Sequence, residues 1–164
     1  SGIGNSSIQG DVEFVEILGK MGCTVQRSAT ELSVSRDLDT AMSGIEVNMA
    51  SMSDLVPTLA TVAMFATSPT RITGVGFIRG KESDRLGDLA TELRAVGGVV
   101  EVTADGLIVS PSHVHGGVVE THQDHRIAMA LSLVGLACDG VLINDPDVVS
   151  KSWPEYWSML EALN

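Results

Sequence analysis

Hydrophobic residues recur along the chain in an order that predicts two similar units and the start of a third. Helices are indicated where apolar side chains lie three or four positions apart, and strands where apolar and polar residues alternate. The first unit runs helix, hairpin, helix and strand, at residues 12–21, 24–35, 54–65 and 70–73. The same order returns at residues 83–96, 99–109, 124–134 and 140–143, and a third unit begins at Trp153. The pattern therefore predicts a repeated, mixed α/β (α+β) fold.

Turn residues support these boundaries. Gly22 and the pair Gly97-Gly98 follow the last apolar position of a predicted helix, where glycine readily adopts the left-handed C′ conformation. Asp105-Gly106 separates the two strands of the second hairpin, and this dipeptide is favoured in tight turns. The helices that begin at Asp54 and Asp124 are apolar on most faces, which predicts that both are buried.

Composition indicates a core of small aliphatic side chains. Of the 164 residues, 44% are hydrophobic but only 4% are aromatic, and the length fits one domain or one lobe of a larger enzyme. A formal net charge of −11 argues against nucleic acid and anionic membranes as partners. Cys23 and Cys138 lie in apolar stretches without CxxC spacing, and no apolar run reaches the roughly 18 residues of a transmembrane helix. These features favour a cytoplasmic protein.

Basic residues are concentrated in three short motifs, each at the start of a predicted helix. The motifs are residues 79–85 (RGKESDR), 122–126 (HQDHR) and 150–154 (SKSWP). Cations at a helix N-terminus oppose the helix dipole by about 0.3–1 kcal/mol, unless an anion binds there. A solvated charged turn is the alternative for the first motif, because Glu82 and Asp84 can pair with its cations. Three equivalent placements nevertheless predict one shared anion site on one face of the domain.

Asp54 lies at the start of the remaining helix, and two roles are open to it. Its carboxylate could cap the helix, a contribution of about 1 kcal/mol, and the spacing alone favours this role. Alternatively, a carboxylate placed among cations could take a proton from a bound hydroxyl group.

Histidine spacing by itself resembles a metal site. His113 and His115 form one pair, and His122 and His125 form another. No cysteine lies near either pair, and the first pair lies in a loop rich in Pro, Ser and Gly. We therefore expect no metal site.

Two motifs resemble signature stretches of the 5-enolpyruvylshikimate-3-phosphate synthase family, namely residues 81–86 (KESDRL) and 124–129 (DHRIAM). Supporting matches follow the family's order at residues 7–11 (SIQGD), 54–58 (DLVPT) and 151–154 (KSWP). Together they span essentially the whole chain, which resembles the C-terminal part of a full-length enzyme.

The resemblance implies two similar domains, each made of three βαβαββ units around a pseudo-threefold axis, with the active site in the cleft between them. Residues 1–164 would be one incomplete enolpyruvyl transferase domain, with about two units and the start of a third, and the second domain would be absent. The family transfers the enolpyruvyl group of phosphoenolpyruvate to the 5-hydroxyl group of shikimate 3-phosphate, releases phosphate and uses no cofactor. The resemblance thus implies a transferase of the shikimate pathway toward aromatic amino acids, a glyphosate target, that is inactive as an isolated fragment.

The same resemblance assigns roles to individual residues. Asp54 would be the base at the 5-hydroxyl group, which reverses the preference for a capping role. Glu82 would be a second acid/base near the methylene carbon that is protonated, and Lys81 would contact shikimate 3-phosphate. Phosphoenolpyruvate would be held by Arg85, Arg126 and Lys151.

The chain departs from the family pattern in two respects. The family often has an asparagine that contacts shikimate 3-phosphate near the position of Phe77, whereas residues 76–78 (GFI) have no side-chain amide here. The family's Lys-Ser-x-x-x-Arg segment and Ser-Ser-Gln loop are also absent. Two alternatives remain open. One is a UDP-N-acetylglucosamine enolpyruvyl transferase domain, which has a similar fold and the same donor, although the KESDR and DHR runs favour the shikimate enzyme. The other is a non-catalytic anion-binding module.

Overall fold

Helices and strands alternate along the chain in two units of the same order, followed by a last helix. The computed structural model describes residues 3, 4, 7, 10–37 and 39–162. The first unit contains α1 (Phe14–Lys20), β1 (Thr24–Arg27), β2 (Leu32–Ser35), β3 (Glu46–Asn48), α2 (Val56–Ala63) and β4 (Thr70–Thr73). The second contains α3 (Gly87–Ala95), β5 (Val99–Val102), β6 (Leu107–Ser110), β7 (Val118–Val119), α4 (His125–Gly135) and β8 (Leu142–Ile143). The last helix is α5 (Tyr156–Glu161).

Within the described ranges, the strands form three sheets. The hairpin β1–β2 is antiparallel, with Val25 opposite Val34. The central sheet has the order β3-β4-β6-β5, in which β3 and β4 are parallel and the other neighbours antiparallel. The third sheet pairs β7 with β8 in parallel, with Val118 opposite Leu142. Each parallel pair is connected through a helix, α2 or α4, so both units contain a β-α-β connection.

The predicted order of elements is confirmed, and the structure adds two strands to it. β3 and β7 are three and two residues long, too short to show an alternating pattern of apolar and polar residues. Each is defined instead by its pairing with a parallel strand, β3 with β4 and β7 with β8. Residues 1–2, 5–6, 8–9, 38 and 163–164, which include part of the predicted motif at 7–11, lie outside the described residues.

Helices α2 and α4 form the centre of the core. They pack against each other, and the fully buried side chains include Leu59 of α2 with Ile127 and Leu131 of α4. Alanines such as Ala60 and Ala63 are also fully buried, and their small side chains allow neighbouring elements to approach closely. The prediction that both helices are buried is therefore confirmed. No helix in the described residues is both long and apolar enough to cross a membrane.

Helix α3 begins later than predicted. The sequence placed its first turn at Ser83-Asp84, but the helix begins at Gly87. The Asp84 carboxylate accepts hydrogen bonds from the backbone N–H groups of Leu86 and Gly87, at 3.2 and 3.0 Å. The N–H of Asp84 donates in turn to the carboxylate of Asp88, at 3.0 Å. These bonds satisfy the free N–H groups at the helix start, so residues 81–85 form a loop.

The prediction that the cations lie at three helix N-termini is therefore correct for only one motif. Arg126 lies in the first turn of α4, as predicted. Lys81 and Arg85 lie in the loop before α3, and Lys151 ends the 3-10 helix Pro146–Lys151, well before α5 begins at Tyr156. Charge alone does not identify a helix start, because side chains such as Asp84 can place the start elsewhere.

The packing of α2 gives a test of the core. Leu59→Ala is expected to lower the free energy of unfolding by about 2–5 kcal/mol, because it leaves a cavity at a fully buried position. The matched control is Leu142→Ala on β8, where the side chain is 59% exposed and the expected change is within about 0.5 kcal/mol. Urea denaturation of both variants measures the difference, and equal losses would contradict the central position of α2.

Candidate active site

Four segments that follow the carboxyl ends of parallel strands carry the predicted site residues. The 3-10 helix Ala50–Leu55 follows β3, and residues 74–86 follow β4. Residues 120–126, which include the start of α4, follow β7, and the 3-10 helix Pro146–Lys151 follows β8. Since the strands of each pair are parallel, the two segments of a pair leave their sheet at the same edge, which is where open α/β sheets bind ligands.

Asp54 is surrounded by three cations from two other segments. Its carboxylate lies 2.9 Å from Nη1 of Arg85, 2.9 Å from Nη2 of Arg126 and 3.6 Å from Nζ of Lys81. The carboxylate makes no capping hydrogen bond to α2, whose N-cap residue is Leu55. The capping role that spacing alone favoured is therefore wrong, because the nearby cations bind both carboxylate oxygens.

A buried ion pair joins the two units beneath this cluster. Nε of Arg85 donates to the Asp124 carboxylate at 2.6 Å, and its Nη2 donates to the second oxygen at 3.3 Å. The Arg85 side chain is 3% exposed and that of Asp124 is 0% exposed. Asp124 also accepts from Ser83 Oγ at 3.1 Å and caps α4 through the N–H of Arg126 at 2.9 Å. All three donors hold one carboxylate in a fixed position.

Glu82 forms the second acidic centre of the site. Its carboxylate accepts from Nζ of Lys151 at 2.7 Å and from Nδ1 of His125 at 3.1 Å. Lys151 also reaches the carbonyl oxygen of Gln123, at 3.4 Å. Glu82 therefore connects the loop after β4 with the loops after β7 and β8.

The electrostatic surroundings keep all three carboxyl groups ionised. Burial alone raises the pKa of Asp54, but the positive charges of Arg126, Lys81 and Arg85 outweigh burial and hold that pKa below its usual value. Burial likewise raises the pKa of Asp124, and the hydrogen bonds from Arg85 more than compensate, so this pKa is also lowered. For Glu82, the hydrogen bond from Lys151 is the main cause of a lowered pKa.

The structure brings all six predicted site residues together. Asp54, Lys81, Arg85 and Arg126 meet in one cluster, and Glu82 and Lys151 meet in the adjacent one. The prediction that Asp54, Lys81, Arg126 and Lys151 share one face is confirmed by these contacts. Arg85 differs from the others because it is almost fully buried, whereas the side chains of the other five are 29–48% exposed.

Sequence reasoning missed two members of the site. His125 was considered only as a metal ligand, and Asp124 only as the start of a helix. The structure shows instead that His125 contacts Glu82 and that Asp124 is the counterion of Arg85. The signal was present in the run HQDHR, where an acidic residue and a histidine stand beside the predicted arginine.

One group of side chains has donor atoms close enough to hold a metal ion. Glu82, Asp124 and His125 each offer a ligand atom, and these atoms lie within 4.8 Å of one another. Arg85 and Lys151 already bind the two carboxylates. A divalent cation would add positive charge beside these two cations, so the donor set is better suited to internal ion pairs.

Solved structures with the same fold are enolpyruvyl transferases. EPSP synthase from Acinetobacter baumannii superimposes with a TM-score of 0.79 at 30% identity, over 98% of this chain and 40% of that one. The enolpyruvyl transferase NikO from Streptomyces tendae gives a TM-score of 0.75 at 26% identity, over 93% of this chain and 35% of that one. The fold of this chain is therefore that of the enolpyruvyl transferases.

The sequence comparisons identify the family within this class. The family model of EPSP synthase (3-phosphoshikimate 1-carboxyvinyltransferase) matches residues 1–160, and the chain belongs to this family. The 3-phosphoshikimate 1-carboxyvinyltransferase of Methanoculleus marisnigri is 46% identical over 160 residues, which are 98% of this chain and 37% of that protein. The chloroplastic enzyme of Arabidopsis thaliana is 40% identical over 99% of this chain and 32% of its own length. The chain thus spans about a third of the length of these relatives.

The buried ion pair gives a stability test. Asp124→Asn is expected to lower the free energy of unfolding by about 3 kcal/mol, because Arg85 loses its buried counterion. Asparagine caps helices as well as aspartate does, so the loss reports the charge rather than the cap. Urea unfolding is the measurement, with exposed Asp139→Asn as the control that stays within about 0.5 kcal/mol.

The same variant has a defined pH dependence. A lowered pKa in the folded state means that Asp124 stabilises the fold fully above its unfolded pKa of about 3.9, and that this contribution is lost as the pH falls through the folded value. The difference in the free energy of unfolding between the original chain and Asp124→Asn should therefore be constant near neutral pH and become smaller below about pH 4. A constant difference down to the lowest pH would contradict the ion pair as its origin.

The exposed cations give a binding test. Inorganic phosphate is expected to bind near Arg126 and Lys151 and to shift their neighbouring amide signals in an NMR titration. Arg126→Ala should abolish these shifts, since it removes a cation at the start of α4. Arg36→Ala is the control, because Arg36 is exposed and contacts only the backbone of residues 37 and 40 in the described part of the chain. An unchanged titration in Arg126→Ala would place the anion elsewhere.

Proposed function

We propose that this chain is part of an enzyme that transfers the enolpyruvyl group of phosphoenolpyruvate to the 5-hydroxyl group of shikimate 3-phosphate and releases phosphate. The observation that carries the proposal is the ionised carboxylate of Asp54, held among Lys81, Arg85 and Arg126 at the ends of parallel strands. Both substrates are polyanions, and such a cluster offers cations to bind them and a carboxylate to move a proton. Membership of the EPSP synthase family supports this choice of substrates.

Asp54 acts as the base in this proposal. The new C–O bond requires the 5-hydroxyl group to lose its proton, and Asp54 is the carboxylate that contacts the exposed cations Lys81 and Arg126. In the free site its lowered pKa makes it a weak base. Anionic substrates that pair with Arg126 and Lys81 would weaken the electrostatic attraction between these cations and Asp54. Substrate binding would thus raise the pKa of Asp54 and strengthen it as a base.

Glu82 and its partners act at the other end of the reaction. Addition to the double bond of phosphoenolpyruvate requires a proton on the methylene carbon, and the elimination that follows removes one. Glu82 is hydrogen-bonded to both Lys151 and His125, so a proton can be exchanged within a group of three titratable side chains. Lys151 and Arg126 would hold the phosphate and carboxylate of phosphoenolpyruvate on either side of this group.

Arg85 contributes to the site mainly through its ion pairs with Asp124 and Asp54. Its buried guanidinium group uses Nε and Nη2 for Asp124 and leaves Nη1 directed at Asp54. An anion would reach Arg85 only along this Nη1 edge. We therefore assign Arg85 the least direct part in binding phosphoenolpyruvate among the three cations proposed for that role.

The proposed site is one wall of a larger active site. The side chains of Asp54, Lys81, Glu82 and Lys151 are 35–48% exposed, and the relatives are nearly three times as long as the matched segment. We propose that residues 1–164 form most of one domain and that a second domain supplies the opposing wall. The free thiols of Cys23 and Cys138 support a cytoplasmic location.

Activity tests the proposal. The chain alone is expected to release phosphate from the two substrates at the background rate, because one open wall cannot orient both substrates, an effect worth about 7–11 kcal/mol. Joined to the remaining segments of the Methanoculleus marisnigri relative, the chain should gain activity, measured as phosphate release. Asp54→Asn in the joined protein should abolish this activity.

The control for this assay is His113→Ala. His113 is exposed and lies in a loop outside the charged clusters, so the substituted protein should retain its activity. Rapid phosphate release from the chain alone, or full activity of Asp54→Asn, would show that the active site lies elsewhere. Phosphate binding without any activity of the joined protein would support a non-catalytic anion-binding module.

A further inference from the structure

Helix α3 presents two carboxylates to the loops of the site, although neither belongs to the site itself. Asp88 and Glu92 are four residues apart and therefore lie on one face of the helix. Asp88 accepts the N–H of Asp84 at 3.0 Å, which anchors the loop that carries Lys81 and Arg85. Glu92 is 5% exposed and contacts the loop at residues 120–124.

Glu92 holds that loop with both of its oxygens. Oε2 accepts the backbone N–H of Glu120 at 2.9 Å, and Oε1 accepts from Nε2 of His122 at 2.8 Å. Nδ1 of the same ring lies 3.8 Å from Asp88. A buried carboxylate on a rigid helix thus fixes both the entry of the loop and the side chain at its middle.

The loop adopts a conformation that needs such support. His122 and Gln123 have φ values of 50° and 58°, and two successive residues other than glycine rarely occupy the left-handed region. The turn then closes with the N–H of Asp124 donating to the carbonyl of Thr121 at 2.9 Å. Strained backbone of this kind persists only where its surroundings hold it in place.

This backbone path decides where three chemically important groups lie. Directly after the left-handed pair, Asp124 reaches Arg85, His125 reaches Glu82 and Arg126 reaches Asp54. The carbonyl of Gln123 is itself a contact of Lys151. A change at residues 120–123 would therefore displace the partners of both Asp54 and Glu82.

We propose that Glu92 is a positioning residue, which sets the geometry of the site by holding the loop at residues 120–124 in its left-handed conformation through Glu120 and His122. It touches no substrate and acts only through the residues of this loop. The inference rests on the proposed function for its meaning in catalysis, but its structural part can be tested separately.

The decisive variants are Glu92→Met and Glu92→Gln in the chain. Methionine keeps the length of the side chain and removes both acceptors, whereas glutamine keeps one acceptor oxygen for the N–H of Glu120. Hydrogen exchange of the amides at residues 120–126 should become about tenfold faster in Glu92→Met, and inorganic phosphate should bind about tenfold more weakly. Glu92→Gln should recover most of both losses, which a general loss of stability would not predict.

Two controls distinguish a local effect on the loop from a general loss of stability. Exchange in the sheet formed by β4, β5 and β6 should stay within about twofold of the original chain. Glu101→Gln removes the same charge from an exposed position on β5 and should change neither exchange nor phosphate affinity. Equal acceleration in the sheet and in the loop would overturn the proposal, because Glu92 would then stabilise the whole domain rather than the loop.

A second variant decides the matter if Glu92→Met does not fold. His122→Asn removes the ring contact and keeps a residue that tolerates the left-handed conformation. It should accelerate exchange at residues 120–126 alone, and unchanged exchange there would overturn the proposal. Failure of the proposed function would be seen differently, as no phosphate binding by the original chain, and the exchange comparison would still decide the role of Glu92.

Discussion

The buried ion pair between Arg85 and Asp124 is the interaction on which the site depends. It joins the loop after β4, in the first unit, to the start of α4, in the second. Neither charge is stable there alone, since burial without a partner costs several kcal/mol per ion. The two units must therefore meet in one register, and the same contact fixes Asp54 above Arg85 and Arg126 beside Asp54.

The charges of the site are arranged so that each carboxylate is held by side chains from other segments. Asp54 binds cations from the loop after β4 and from the start of α4. Glu82 binds partners from the start of α4 and from the 3-10 helix after β8. These ion pairs hold the site together without ligand and keep its acids ionised. An incoming polyanion would exchange these internal partners for its own phosphate and carboxylate groups, so binding and the activation of Asp54 are physically linked.

Helix α3 extends this arrangement beyond the residues that face the substrates. Asp88 holds the loop that carries Lys81 and Arg85, and Glu92 holds the loop that leads to Asp124. One helix thus contacts both of these loops and fixes the distance between them. Two loops of the site can keep their relative positions in this way, because both are anchored to one face of the same helix.

The sequence by itself determined the main order of helices and strands, the burial of α2 and α4, and the six residues that the structure brings together in the candidate site, because hydrophobic periodicity and short motifs are local properties of the chain. It could not determine where α3 begins, because the start of the helix depends on hydrogen bonds to the Asp84 side chain, which the apolar pattern does not record. It also missed β3 and β7, which are defined by their pairing with parallel strands that are distant in the sequence. The tertiary structure alone decided the long-range partners. Asp54 and Arg126 are 72 positions apart, Asp124 and Arg85 are 39 apart, and Glu92 and Glu120 are 28 apart, so only the packing of the two units brings them within hydrogen-bonding distance.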